Sequence, residues 1–256
     1  MLKKFAVLST LLLLTGCFAF SPEVKDPAPE NELNKVVDRF DEINNPRKIQ
    51  CRTYYFKFIA TAPAVQVQVL METYADLEKN RIRTTVTIPG SLKQVELYDG
   101  KNGYSIIPGV QSKVLTGDKV AFLRYSARHA TPWSVLRTAY EKMKMDKKTV
   151  MVNGKSCYRL VCQPIGEPSL MPVEIFIDSK TFYPVRTRNI VVSDLGKVPS
   201  TIDYLKFRKY EGALIGQTIL LQQLNIQMQT ELQEVKINCP VPDSIFNAEM
   251  IEDEED

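Results

Sequence analysis

Residue types that do covalent or acid–base chemistry are thinly spread along this chain. It has one histidine, His129, so any Ser–His or Cys–His nucleophile would have to be built on that side chain. No GxSxG, GxxxxGK[ST] or HExxH motif occurs. Asp99, Asp178 and Asp203 come from separate turns or strands, so nothing pairs them for general acid and base work. They read as turn and strand-end residues, and His129 as a solvent-facing loop residue. The five cysteines form no CxxC pair and have no histidine cluster to join, which disfavours structural zinc. The expectation is a protein with no catalytic residue, no metal site and no cofactor.

Cys17 is the exception. It follows Leu14-Thr15-Gly16 at the end of the apolar run from Phe5 to Leu14, which Lys3 and Lys4 precede. A basic start, a short apolar middle and small residues at the break make an export leader. The apolar part is about ten residues, roughly 15 Å as a helix, too short for a bilayer core of about 30 Å. Leu14-Thr15-Gly16-Cys17 resembles the lipobox of bacterial lipoproteins, in which the cysteine is acylated and becomes the first mature residue. The alternative is ordinary cleavage near Ala19, which would discard Cys17. The lipobox reading makes residues 1–16 a leader and residues 17–31 a lipidated tether, rich in Pro, Glu and Asp and without periodicity. It implies a membrane partner, held through an N-terminal lipid anchor.

If Cys17 is lipidated, Cys51, Cys157, Cys162 and Cys239 remain in an exported chain, where disulfides persist. Cys157 and Cys162 sit five apart on one expected strand. That places them on opposite faces and about 16 Å apart, beyond disulfide reach. A bridge would therefore join one of them to Cys51 or Cys239; the alternative is buried free thiols. The net charge of +3 includes the two leader lysines, so the mature chain stands near +1. Six acids between Glu249 and Asp256 mark residues 248–256 as an acidic disordered tail, and leave a mildly basic body. No Lys/Arg cluster interleaves with aromatics, so nucleic acid is not an expected partner.

The elements that would position these residues are mainly strands. Leu33, Val36, Val37, Phe40 and Ile43 form one stripe at helical spacing, which predicts a helix over about Glu32–Asn45. From Lys48 the period becomes two. Tyr54, Phe56 and Phe58 share a face; Val67 and Met71, then Val86 and Ile88, repeat the alternation in the following strands. Asp99-Gly100-Lys101-Asn102-Gly103 reads as a hairpin turn. Gly109 to Met145 breaks the rhythm. There Phe122 and Leu123 suggest one short helix, and Pro132 starts a second carrying Trp133, Leu136, Ala139, Tyr140 and Met143. Strands resume at Thr149 and run to Ile237. The expected class is mainly β with helices (α+β), a single domain over residues 32–247. About eleven strands form one curled antiparallel sheet, since twist and an uncovered apolar face forbid a flat one.

A curled sheet would present Tyr54, Phe56, Phe58, Val67, Met71, Val86, Ile88, Ile175, Ile177, Phe207, Ile226 and Met228 as a lipid-binding trough. Helices bearing Phe122, Leu123, Trp133 and Leu136 would lie over it as a lid. Pockets lined by apolar side chains with few polar groups suit acyl chains. The competing possibility is that the trough is filled by its own helices and is simply a core.

Four segments carry a family resemblance: Tyr98-Asp99-Gly100-Lys101-Asn102-Gly103-Tyr104; Gly154 to Leu160; Ile175-Phe176-Ile177-Asp178 through Pro184-Val185-Arg186; and Val235 to Asn238 before Pro242 to Phe246. Their order resembles the LolA/LolB-like superfamily of lipoprotein carriers and outer-membrane lipoprotein receptors. The resemblance implies an unclosed β-barrel with helices plugging its mouth. It also implies a cavity for the acyl chains of lipid or lipoprotein cargo, a non-enzymatic role in sorting or transfer, and a periplasmic carrier protein as partner. With its own lipobox the chain is more similar to the anchored branch. Phe18, not Asp, follows Cys17, so the implied location is the periplasmic face of the outer membrane. A non-enzymatic sensor or interaction protein on the same scaffold is the alternative.

Overall fold

Alternating apolar residues, with turns every eight to twelve positions, give successive strands that pair in chain order. The computed structural model describes residues 22–62, 67–133, 135–193, 196–224 and 226–252; Cys17 and the expected leader lie outside them. Helix α1 (Glu30–Asn44) comes first, then β1 (Thr53–Ala62), β2 (Val67–Asp76), β3 (Arg81–Ile88), β4 (Leu92–Tyr98), β5 (Gly103–Ile107) and β6 (Gln111–Leu115). Helix α2 (Asp118–His129) separates these from β7 (Tyr140–Met145), β8 (Val150–Val152), β9 (Lys155–Pro164), β10 (Val173–Asp178), β11 (Pro184–Ser193), β12 (Gly196–Tyr210), β13 (Ala213–Gln223) and β14 (Ile226–Ile237). A 3-10 turn (Asp243–Phe246) and helix α3 (Ala248–Glu252) end the chain.

All of these strands belong to one antiparallel sheet of 14, not eleven, ordered β6-β5-β4-β3-β2-β1-β14-β13-β12-β11-β10-β9-β7, with β8 beside β9. The β1–β14 pairing, with Tyr54 opposite Ile237, joins the first half of the chain to the second. β6 and β7 stay unpaired with one another, so the barrel is unclosed. It is nonetheless curled. Helix α2 touches β3, β4 and β5 and also β11, and its Asp118 carboxylate meets Lys197 Nζ at 2.9 Å. Six strand spacings separate β3 from β11, about 29 Å if flat, against a helix roughly 10 Å thick. Only a rolled sheet brings both within reach of one helix.

The two faces are covered differently. On the concave face, Val36, Val37 and Phe40 of α1 pack with Met145, Leu160, Cys162, Val173, Ile175 and Ile177. Leu123 and Ala127 of α2 pack with Tyr54, Ala75, Ile82, Tyr98 and Leu115. Gly103 makes the second contact possible: a Cβ there would stand 3.1 Å from Val120 Cγ2 on α2. On the convex face, Phe246 and Ile251 cover Val95, Leu97 and Ile106.

Three expectations change. The second lid helix does not form: Trp133 and Leu136 are buried in the connection after α2, and Tyr140 and Met143 are in β7. A bulge between Glu141 and Lys144, with Lys142 at φ +47°, turns Tyr140 and Met143 to the same core although they are three apart. That spacing imitates a helix. The tether docks earlier than expected, since Ala28 N donates to Met145 O and Lys147 N to Asp26 O, which covers the β7 edge. Residues 248–252 are α3 rather than disordered tail, and Ile251 is fully buried.

Candidate functional site

Strand register decides which side chains share the concave face. Phe58 stands opposite Met71, and Met71 opposite Val86. A bulge between Lys57 and Phe58 keeps Phe58 on this face while pairing it with Leu232 of β14. A second row crosses the other half of the sheet: Met228, Leu221, Ile202, Thr187, Ile175, Leu160 and Met145 are successive partners from β14 to β7. By the same alternation Val67, Ile88, Ile177 and Ile226 point inward; in β12 two irregularities between Tyr204 and Phe207 break the alternation and bring Phe207 onto the Tyr204 side. The twelve expected trough residues thus occupy one face.

Burial then divides them. Tyr54 is covered by α2, and Ile175 and Ile177 by α1. Phe56, Phe58, Val67, Met71, Val86, Ile88, Phe207 and Met228 are half-buried, and Ile226 is 38% exposed. The half-buried set lies between the two helical covers and includes an aromatic line. Phe56 stands 5.1 Å from the Tyr54 ring and 5.5 Å from Phe58, and Phe207 stacks on Tyr204 at 5.9 Å. Beside Phe56 the face turns polar along the row Thr73, Thr84, Glu96 and Ser105, with the two threonine hydroxyls 3.2 Å apart.

Two contacts fix the lid. Arg124 of α2 donates to both carboxylate oxygens of Glu167, at 2.5 and 2.7 Å, from the loop after β9. The Arg124 guanidinium is held above its ordinary range, first by that hydrogen bond. Asp118 anchors the helix start on Lys197, and that hydrogen bond lowers its carboxyl. Phe122 is half-buried and Leu123 buried on α2. Leu136 N and Arg137 N donate to the Asp41 carboxylate on α1, at 2.6 and 3.1 Å. Burial raises the Asp41 carboxyl against the effect of those bonds. The stretch read as a second lid helix is therefore a strap tied to the first helix.

The sparse chemistry has structural employment. Asp99 accepts from Lys101 N and Asn102 N in its hairpin, and Asp178 from Lys180 N and Thr181 N in another. Asp203 receives two bonds from Arg186 at 2.7 Å. His129 is not on a loop: it ends α2, half-buried, its ring 5.3 Å from Tyr125, and burial lowers its pKa. Among the described residues no group of three or more His, Cys, Asp and Glu side chains could hold a metal ion. No helix among them is long and apolar enough to cross a membrane.

Solved structures share this architecture. A LolA superfamily protein from Nitrosomonas europaea matches 84% of this chain and 97% of its own length, with a TM-score of 0.54 and 16% identity. An outer membrane lipoprotein-sorting protein domain from Vibrio parahaemolyticus matches 84% and 97%, at 0.56 and 11% identity. The fold is LolA-like. A DUF1329 family protein from Desulfovibrio piger has it too, at 0.56 and 10% identity over 87% of this chain and 99% of that one. No family model and no curated protein matches the sequence. The four segments that carried the resemblance are the Asp99 and Asp178 turns, the β8–β9 hairpin and the β14 end with its closing 3-10 turn.

Proposed function

We propose that the protein holds the acyl chains of a lipid or an acylated lipoprotein on its concave face, and serves lipoprotein sorting or lipid transfer in the cell envelope. The observation that carries this reading is the half-buried row Phe58, Met71 and Val86, left between the two helical covers of the concave face. Each methylene moved from water onto that row is stabilised by about 0.8 kcal/mol, so an acyl chain gains several kcal/mol without any bond being made or broken. No enzymatic step is part of the proposal. The fold shared with a LolA superfamily protein and with a domain described as outer membrane lipoprotein-sorting supports it, as does the lipobox-like Leu14-Thr15-Gly16-Cys17. In this reading Cys17 carries the acyl anchor, the protein is exported to the outer membrane's periplasmic face, and a periplasmic carrier delivers cargo.

The test is binding of a fluorescent fatty-acid probe, with native mass spectrometry for co-purified lipid. Met71→Asp and Phe58→Arg are each expected to weaken probe binding at least tenfold in protein that still folds. Full binding in both variants would remove the concave face from the function and favour a protein-interaction scaffold.

A further inference from the structure

The four cysteines among the described residues fall into two kinds. Cys157 and Cys162 are fully buried in separate clusters, Cys157 among Val152, Phe176 and Val185, Cys162 among residues under α1. Cys51 and Cys239 are only partly buried, and the topology brings them together. Cys51 immediately precedes the Arg52–Thr53 start of β1, and Cys239 follows the end of β14; these two strands make the long-range pairing that joins the halves of the sheet. The pairing continues past the strand ends. Asn238 N donates to Thr53 O at 2.7 Å, and Thr53 Oγ1 to Cys239 O at 2.6 Å. Arg52 N donates to Asn238 Oδ1 at 2.8 Å, and Asn238 Nδ2 to Gln50 O at 3.0 Å. Cys51 Sγ lies 3.6 Å from the same Thr53 carbonyl that Asn238 N reaches. Asn238 at φ +52° turns the chain so that Cys239 comes back against the start of β1. A bridge from β9 to Cys51 or Cys239 was the expectation, but the clusters that hold Cys157 and Cys162 include neither Cys51 nor Cys239.

We infer that Cys51 and Cys239 are a disulfide site, closed in an oxidising compartment, which staples the first strand of the sheet to the last while Cys157 and Cys162 stay reduced. Cys239 is close enough to act on Cys51: burial, and then the neighbouring Cys239, push the Cys51 thiol up to about 12. The loop so closed runs from residue 51 to residue 239 and contains every strand, and long loops are where a cross-link restricts the unfolded chain most. The inference does not depend on the lipid-binding reading.

The exchange balances with oxidised glutathione as the acceptor. The Cys239 thiolate attacks one glutathione sulfur, forms a mixed disulfide and releases one glutathione thiolate. Cys51 loses its proton, attacks the Cys239 sulfur and expels the second. Two electrons pass from the cysteines to the glutathione disulfide, and the two thiol protons end on the released glutathione or in solvent. In a cell a disulfide-bearing thiol oxidoreductase of the export compartment is the acceptor class. A high Cys51 pKa makes closure slow at neutral pH and faster as pH rises, because the thiolate is the nucleophile.

The experiment incubates the purified full chain with oxidised glutathione, alkylates it in denaturant and maps its peptides without reduction. A Cys51–Cys239 linked peptide is expected, with Cys157 and Cys162 alkylated. The melting temperature should then fall by roughly 5–10 °C on adding reductant, a response absent from C51S/C239S. Alkylated, unlinked Cys51 and Cys239, or glutathione adducts persisting on both, overturn the inference. So does a link that engages Cys157 or Cys162 instead.

Discussion

The concave face has two regions built from the same pattern and covered to different degrees. Near β9 and β10, Ile175 and Ile177 alternate with outward residues and are sealed by Val36, Val37 and Phe40 of α1. Near β1 to β3, Phe58, Met71 and Val86 alternate in the same way and face inward on the same sheet, yet remain half-buried. Strand sequence does not distinguish them. What separates sealed core from half-open face is where the two helices land, and each helix is placed by polar contacts rather than by its apolar stripe alone. Asp41 ties α1 to the Leu136–Arg137 strap, and Arg124 with Asp118 ties α2 to Glu167 and Lys197.

A charge placed in each region breaks the comparison most sharply. Ile177 is fully buried, and an aspartate there must stay protonated without a hydrogen-bond partner, ionise unpaired or force α1 away. Ile177→Asp is expected to cost on the order of 4 kcal/mol, enough to unfold a marginal domain. Met71→Asp leaves its carboxylate within reach of water and is expected to cost about 1 kcal/mol. Urea denaturation of the two variants measures the gap. Equal losses would mean that the β1–β3 region is as closed as the α1 region, and the division drawn here would fail.

Much of this was legible in the sequence, and the parts that were not share a cause. Alternation placed eleven of the twelve trough residues on one face because period two survives in regular strands, as from Tyr54 to Phe58; Phe207 shares that face only through the bulges after Tyr204. It misread Tyr140 and Met143 because a bulge shifts the alternation by one and reproduces helical spacing. The stripe of α1 was clear from Leu33 to Phe40, but not which strands it would cover. That choice rests on pairings distant in the chain, such as Asp41 with Leu136. Arg124 and Glu167 escaped notice because they are 43 residues apart and no local pattern links them. Cys51 and Cys239 were missed as a pair for the same reason, since only the β1–β14 register brings them together.

The lid contact offers an intermediate test. Glu167 has a side chain only 5% exposed, while Arg124 is 35% exposed. Arg124→Met strands a buried carboxylate, though water reaches the site enough to discount the penalty, and about 1–3 kcal/mol is expected. The loss should concentrate in α2. Hydrogen exchange over Asp118–His129 should accelerate, exchange over Glu30–Asn44 should not, and an acyl probe should enter faster. Uniform acceleration in both helices would show that the two covers open together, and the face would then have one region instead of two.

The smallest effect lies outside the trough, where the convex face has its own cover. Asp243 accepts from Lys79 Nζ at 2.8 Å and from Arg81 Nη2 at 2.7 Å, and those two hydrogen bonds, with the cations behind them, hold its carboxyl at about 2. Arg81 also lies over the Phe246 ring at 4.4 Å, so the contact secures the segment that ends in α3. Because the folded value is depressed, the stabilisation is fully present above the unfolded carboxylate value of about 3.9 and disappears as pH falls through about 2. Amide protection of Ile245 to Ile251 should therefore be level from pH 7 to pH 4 and decline below that. Asp243→Asn should show slightly lower protection throughout and no such step. The site is solvent-exposed, so the difference should shrink in high salt. A step that persists in Asp243→Asn would assign the acid sensitivity to another group and separate it from the Lys79–Arg81 contact.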